Sequence, residues 1–269
     1  MSRKFDFRVT PVHLGIFSVG LDKKFNRITA DDPPAKGALK IALNPVVIQT
    51  PDRVMLIDSG PGAFGEPDHQ EQMFDGLEEK TGLTNMEITD VFCSHLHYDH
   101  TGGLAHKMNG YWELSYPYAK IWVSGKEWNK MRQNGDAENP DSEFIDFLEA
   151  RADLNFTGTS EQCNDYVEME TIGGHTEFSQ LIRLKLGDQL FLMAGDVLGT
   201  HGAVNRRYAA KYDFDGKKSM ELREQIKKEA LKKEAIIIGY HDTESPLFKL
   251  TDFDKDKGYV IENIDEYYG

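Results

Sequence analysis

Three of the nine histidines fall within six residues, His95-Leu96-His97-Tyr98-Asp99-His100. Imidazoles with a carboxylate are suitable ligands for zinc, and also for iron or manganese. In an extended segment residues two apart project to one side, so His95 and His97 can grip one ion. Where the chain then turns into a helix, Asp99 and His100 are redirected and can reach a second ion. Three more candidates stand where apolar strands end or a glycine loop begins. They are His175 in Gly173-Gly174-His175-Thr176, Asp196 after Leu192-Met193-Ala194-Gly195, and His241 after Ala235-Ile236-Ile237-Ile238-Gly239. Strand ends hold side chains on rigid backbone and can aim all of them at one edge of a sheet. A solvated histidine-rich loop would explain the first window alone, but not the other three residues at such positions.

The elements that must position these groups are partly visible in the pattern. Pro45–Thr50 and Arg53–Asp58 bracket Pro51-Asp52 as a hairpin, closed by the tight loop Asp58-Ser59-Gly60-Pro61-Gly62. The spacing predicts a helix over 69–81, with Lys80 in its last turn and Gly82 as its stop. A buried strand is expected at 88–94 and another at 120–123, followed by helices at about 125–134 and 141–151. Residues 180–186 and 189–194 alternate around Gly187-Asp188 as a second hairpin. Residues 217–234 carry Met220, Leu222, Ile226, Ala230 and Leu231 on one helical face, with a Lys/Glu-rich face expected to be wet. A buried strand follows at 235–239, and Asp31–Gly37 reads as a loop between strands. Hairpins, strand–helix alternation and a strand–helix–strand unit together describe α/β layering, with sheets covered by helices.

Composition narrows the function classes. The chain has 269 residues, 39% hydrophobic and 11% aromatic, which suits one large globular domain spanning 1–269. Its formal net charge of −14 weighs against nucleic-acid or anionic-membrane partners. No apolar run is long enough to span a bilayer, and the mixed N-terminus does not read as a secretory leader. With only Cys93 and Cys163, a disulfide framework is not expected and a cytoplasmic setting is the default.

The motif set as a whole resembles the metallo-β-lactamase superfamily of binuclear metal hydrolases, from about Pro45 to His241. That resemblance implies a four-layer αββα sandwich with two divalent metals, zinc first and Mn2+ or Fe2+ next, at one edge of the sheets. It implies that His95, His97 and His175 hold one metal, that Asp99, His100 and His241 hold the other, and that Asp196 bridges them. Asp58 matches a family aspartate that usually supports the ligands. The implied reaction is attack by a metal-bridging hydroxide on an ester-type bond, with Asp99 also moving the proton to the leaving group.

Among the branches, this chain is most similar to the acyl-homoserine-lactonase and methyl-parathion-hydrolase-like group, acting on a small-molecule substrate. It lacks the cysteine that common β-lactamases carry at position 196, and only 28 residues follow His241, too few for a glyoxalase-type helical region. No RNA-holding insertion fits between Asp196 and His241, and His97 argues against the flavin di-iron branch. One departure stands out: lactonases of the best-known type have tyrosine where this chain has Gly199, with Tyr208 or Tyr212 as stand-ins. His201, Arg206 and Tyr208 are the expected substrate contacts, and 61–75, 105–117 and 198–215 the expected pocket walls. The remaining histidines, His13, His69 and His106, read as packing or surface residues. A phosphoester hydrolase on the same site is the alternative, followed by a metal-bound binding module without turnover.

Overall fold

The computed structural model describes residues 6–133 and 142–269. The first sheet contains β1 (Arg8–Pro11), β5 (Val46–Gln49), β6 (Val54–Ile57), β7 (Asp90–Phe92), β10 (Lys120–Ser124), β11 (Asp153–Thr157) and β19 (Tyr267–Tyr268). Its order is β11-β10-β7-β6-β5-β1-β19. The second contains β12 (Ser160–Gln162), β13 (Val167–Thr171), β14 (Gln180–Leu186), β15 (Gln189–Met193), β16 (Ile236–Ile238), β17 (Leu247–Asp254) and β18 (Gly258–Ile264), adjacent in that order. A three-stranded sheet is built from β2 (Ile16–Val19), β3 (Phe25–Ile28) and β4 (Leu39–Ala42), and a hairpin from β8 (Ala105–Met108) and β9 (Tyr111–Leu114).

Alternation along the central strands sets the layers. Phe191, Met193, Ile236 and Ile238 join Ile48, Met55 and Phe92 of the first sheet in one buried apolar core, and Tyr267 of the first sheet meets the Phe191 ring edge-on. Leu192 and Ile237, the residues between them, instead pack with Ile226 and Ala230 of helix α5 (Gly216–Lys233). Strands β15 and β16 run parallel and are covered on both faces, which explains their unbroken apolar sequence. Helix α3 (Gly125–Gln133) packs on β10 of the first sheet, while α5 covers β15 and β17 of the second. The result is helix, sheet, sheet, helix, as the family resemblance implies.

Local expectations hold at most of these elements. Helix α1 (His69–Thr81) ends where Gly82 adopts φ 73° and its N–H returns to the Glu78 carbonyl. The hairpins β5–β6 and β14–β15 pair as read. Position 134, the expected end of α3, and position 141, the expected start of α4 (Ser142–Arg151), lie outside the described residues. The Lys/Glu-rich face of α5 requires a correction, because Arg223 and Lys227 are buried rather than wet. Arg223 donates to the Val197 and Tyr208 carbonyls and Lys227 to the Val204 carbonyl, so these cations satisfy a loop that the helix covers. Among the described residues no helix is long and apolar enough to cross a membrane.

Candidate metal centre

Strand ends from both large sheets meet at one edge. Asp58 follows β6, and His95 follows β7 through Cys93 and Ser94. His97 has extended backbone, φ −64° and ψ 146°, and opens the short helix α2 (Tyr98–Thr101) that carries Asp99 and His100. From the second sheet come His175 after β13, Asp196 after β15 and His241 after β16. The loops that carry them interlock: a Cβ at Gly62 would collide with the Gly102 carbonyl, and one at Gly103 with the Ser59 carbonyl. Only glycine permits backbone on backbone at these contacts.

Seven side chains present their donor atoms to one another. Around His97 Nδ1, both His95 Nε2 and His175 Nε2 stand at 3.1 Å. His100 Nε2 lies 3.3 Å from His241 Nε2. Asp99 Oδ2 stands 3.6 Å from His100 Nε2 and 3.5 Å from His241 Nε2. Asp196 faces both groups: Oδ1 is 3.2 Å from His100 and 3.1 Å from His241, while Oδ2 is 3.4 Å from His175. In a tetrahedral zinc site with ordinary bond lengths, ligand atoms are ~3.3 Å apart along each edge. The observed spacings bracket that value. Asp196 Oδ1 is buried with no hydrogen-bond partner among the described residues. Such an orphan acceptor is costly unless a cation occupies the space in front of it. The donor set therefore fits two divalent ions.

Charge at the site follows from burial and mutual contact. Burial, helped by repulsion from His100 and His97, pushes His95 well below the usual imidazole range. Burial and His175 do the same to His97. Both nitrogens are thus lone-pair donors rather than cations. Burial alone would also lower His100, but Asp99, Asp58 and Asp196 override it and raise this ring well above the usual range. Burial opposes ionisation of Asp196, yet His241, His175 and His100 hold it well below the usual carboxylate range.

The far nitrogen of four rings is fixed by a second partner. His100 Nδ1 meets Asp58 Oδ2 at 2.7 Å, His175 Nδ1 meets Asp213 Oδ1 at 3.0 Å, and His241 Nδ1 donates to the Ala42 carbonyl at 2.9 Å. His95 Nδ1 lies 3.1 Å from Ser94 Oγ. Such partners set tautomer and ring orientation. Asp58 is fully buried and also accepts from Ser94 N–H and Ser94 Oγ, both at 2.8 Å. Tyr240 lies against the His100 ring, centroids 4.2 Å apart, and donates to the Asp99 carbonyl at 2.6 Å. Asp213 and Tyr240 carry no sequence signal for these roles; only the fold brings them here.

The three residues expected to contact substrate lie on the connection between β15 and α5. His201 pairs with Asp242 at 2.7 Å and lies on the Phe248 ring, and no described contact joins it to the donor cluster. Arg206 is exposed on the connection to α5. Tyr208 is 42% exposed, with its ring beside Arg223 rather than the donors. The same connection does reach the site further on, where Phe214 N–H donates to the His175 carbonyl at 2.8 Å. Cys93 is buried and burial pushes its thiol well above the usual range, which leaves no thiolate nucleophile there.

No curated protein matches the chain. The solved structure of AidC, a dizinc quorum-quenching lactonase in complex with a product, is 18% identical with a TM-score of 0.75, covering 97% of this chain and 96% of its own. The hydrolase AbOPH is 20% identical with a TM-score of 0.76 over the same shares. A probable metal-dependent hydrolase from Staphylococcus aureus is 17% identical with a TM-score of 0.74, covering 97% of this chain and 99% of its own. At these identities the likeness is one of fold. The family model of the metallo-beta-lactamase superfamily matches residues 42–241, so the span from Ala42 to His241 contains every candidate ligand, and the chain belongs to that superfamily.

Proposed function

We propose that this protein is a metal-dependent hydrolase that cleaves an ester-type bond in a small molecule, with a lactone as the leading substrate. The observation that carries this reading is the Asp196 carboxylate, one oxygen turned to each of two groups of histidine nitrogens. His95, His97 and His175 would hold one ion, Asp99, His100 and His241 the other, and Asp196 both. Two ions there would supply Lewis acidity and a water made acidic near neutral pH. Zinc fits the donor spacing, with Mn2+ or Fe2+ also compatible with the ligand types.

The chain's own groups complete the chemistry. Asp99 Oδ2 lies beside both second-group histidines and is 12% exposed in its side chain, so it can take a proton and pass it to a leaving group. Tyr240 fixes the Asp99 backbone through its carbonyl, which limits drift of that carboxylate. Asp58 and Asp213 hold the His100 and His175 rings in the orientation that aims Nε2 at the centre. Both cysteines are free thiols, and we place the protein in the cytoplasm on that basis.

A lactone is favoured by similarity of fold to the lactonase AidC and by the absence of cysteine at Asp196. A phosphoester is the second reading, favoured by Gly199 in the lactonase tyrosine's place. Tyr212, one of the two stand-ins, already donates its hydroxyl to the Gly20 carbonyl at 3.2 Å. The test is ring opening of an N-acyl-homoserine lactone by zinc- or manganese-loaded protein, followed by proton release. Metal-dependent opening supports the lactonase reading. A protein holding two metals that releases phenolate from a phosphoester but opens no lactone supports the second.

A further inference from the structure

The stretch Ala42-Leu43-Asn44, from the end of β4 toward β5, supplies no donor atom to the centre, yet it grips the turn after β16 that carries His241. Ala42 N–H donates to the His241 carbonyl at 3.1 Å, and the Ala42 carbonyl accepts from His241 Nδ1 at 2.9 Å. Asn44 reaches the peptides on either side of that histidine. Its backbone N–H donates to the Tyr240 carbonyl at 3.1 Å. Its side-chain Nδ2 donates to the Tyr240 carbonyl at 2.8 Å and to the Asp242 carbonyl at 2.9 Å.

An amide nitrogen has two hydrogens, and Asn44 spends both on these two carbonyls. The amide oxygen therefore faces His13, whose Nδ1 donates to it at 2.8 Å. Turning the amide over would set its oxygen against two carbonyl oxygens and its nitrogen against a donor. Asn44 is wholly buried, while His13 stands at the surface. A buried amide with every hydrogen and its oxygen engaged holds a fixed orientation.

What this grip fixes is the second group of donors. The peptide planes flanking a residue set the direction of its Cα–Cβ bond, so Asn44 aims the His241 side chain through the main chain, while Ala42 orients the ring. Tyr240, whose carbonyl Asn44 holds twice, donates its own hydroxyl to the Asp99 carbonyl and lies against the His100 ring. All three members of the group are thus tied, directly or through Tyr240, to one side chain outside the histidine motif. Among the described residues no hydrogen bond of Asn44 reaches His95, His97 or His175.

We propose that Asn44 is a positioning residue for the metal group of Asp99, His100 and His241, with His13 as the surface end of its anchorage. The inference rests on the two-metal hydrolase reading above and adds to it a support that acts on one group of donors and spares the other.

The test is zinc titration of the metal-free protein against a chromophoric chelator, with His241→Ala identifying the binding step that belongs to this group. Asn44→Ala is expected to weaken that step about tenfold, as loss of a ligand's outer support does, and to change the other step less than about twofold. His13→Leu, at an exposed position where the fold is not at stake, is expected to weaken the same step about threefold through loss of one hydrogen bond. Unchanged affinity at both steps overturns the proposal. Equal weakening of both also overturns it, because a merely structural role would loosen the whole centre. Where near-UV circular dichroism shows that Asn44→Ala does not fold, His13→Leu decides by the same criteria. Fewer than two zinc ions on the unsubstituted chain would defeat the two-metal reading and this proposal together. Two zinc ions without cleavage of a lactone or phosphoester would count against the hydrolase reading alone, and the titration would still decide the role of Asn44.

Discussion

Asp58→Asn isolates what a buried carboxylate contributes to the metal centre without opening a cavity. Asp58 is wholly buried and accepts three hydrogen bonds, from His100 Nδ1 at 2.7 Å, Ser94 Oγ at 2.8 Å and Ser94 N–H at 2.8 Å. An amide has one acceptor oxygen and one donor nitrogen, so one face must turn N–H toward a donor. If that face meets His100, the ring loses the partner that fixes its tautomer. A hydrogen bond to a charged group contributes about 1.5–3 kcal/mol, and loss of a ligand's outer partner weakens metal binding by roughly 10–100-fold. The loss should fall on the group of Asp99, His100 and His241. The group of His95, His97 and His175 is linked to Asp58 through Ser94 Oγ, one hydrogen bond further away, and should change much less. Zinc titration against a chromophoric chelator resolves two binding steps and reads each separately, with near-UV circular dichroism confirming the fold. Two steps of unchanged affinity would refute the positioning role, and equal weakening of both would refute the assignment of His100 to one group.

Other outcomes follow from neighbouring residues. Asp196→Asn should abolish hydrolysis and lower metal content below two per chain, and full activity with two metals retained would count against the bridge. Glu127, buried in α3, has its carboxyl pushed up by burial from 4.5 to about 7. Its contribution to stability is full below about pH 4.5, falls as the unfolded chain ionises first, and levels off above about pH 7, at a cost of about 3 kcal/mol. Glu127→Gln in metal-free protein should therefore raise urea stability near pH 8 and leave it level near pH 4.5; a constant difference across that range would sink the idea. Tyr240→Phe, which removes the hydroxyl from the Asp99 carbonyl, should cost about 1–3 kcal/mol on thermal unfolding without loss of the fold. Gly103→Ala should cost at least about 1–3 kcal/mol through contact with the Ser59 carbonyl, and an unshifted melting temperature would mean the two loops part easily.

How much of this was legible in the sequence depended on periodicity and punctuation. Ile236–Ile238 and Gln189–Met193 are short apolar runs ended by Gly-Tyr-His and Gly-Asp, so both the strand and its aimed side chain could be read. The strands β3 and β18 could not, because Phe25–Ile28 and Gly258–Ile264 leave most side chains half or fully exposed and break no pattern. Arg223 and Lys227 look like members of a wet face until the carbonyls of Val197, Val204 and Tyr208 arrive from another part of the chain. Asp213 sits in Tyr-Asp-Phe-Asp, where neither aspartate is marked. One caps α5 through Lys218 N–H, while the other finds His175. The candidate ligands were legible because they stand at strand ends; the residues that hold their rings were not, because they are chosen by proximity alone.

The division of the seven donors between the sheets has a mechanical consequence. His95, His97, Asp99 and His100 hang from the first sheet, and His175, Asp196 and His241 from the second. Any ion gripped by both sets works as a removable crosslink between the two halves of the sandwich, inorganic where a secreted protein would use a disulfide. Anything that binds only the folded chain stabilises it by mass action, about 4 kcal/mol at a thousandfold excess over the dissociation constant. Chelation would then loosen the seam between the sheets before either sheet frays. A chain cut between β11 and β12 would rejoin more tightly with zinc present than without it.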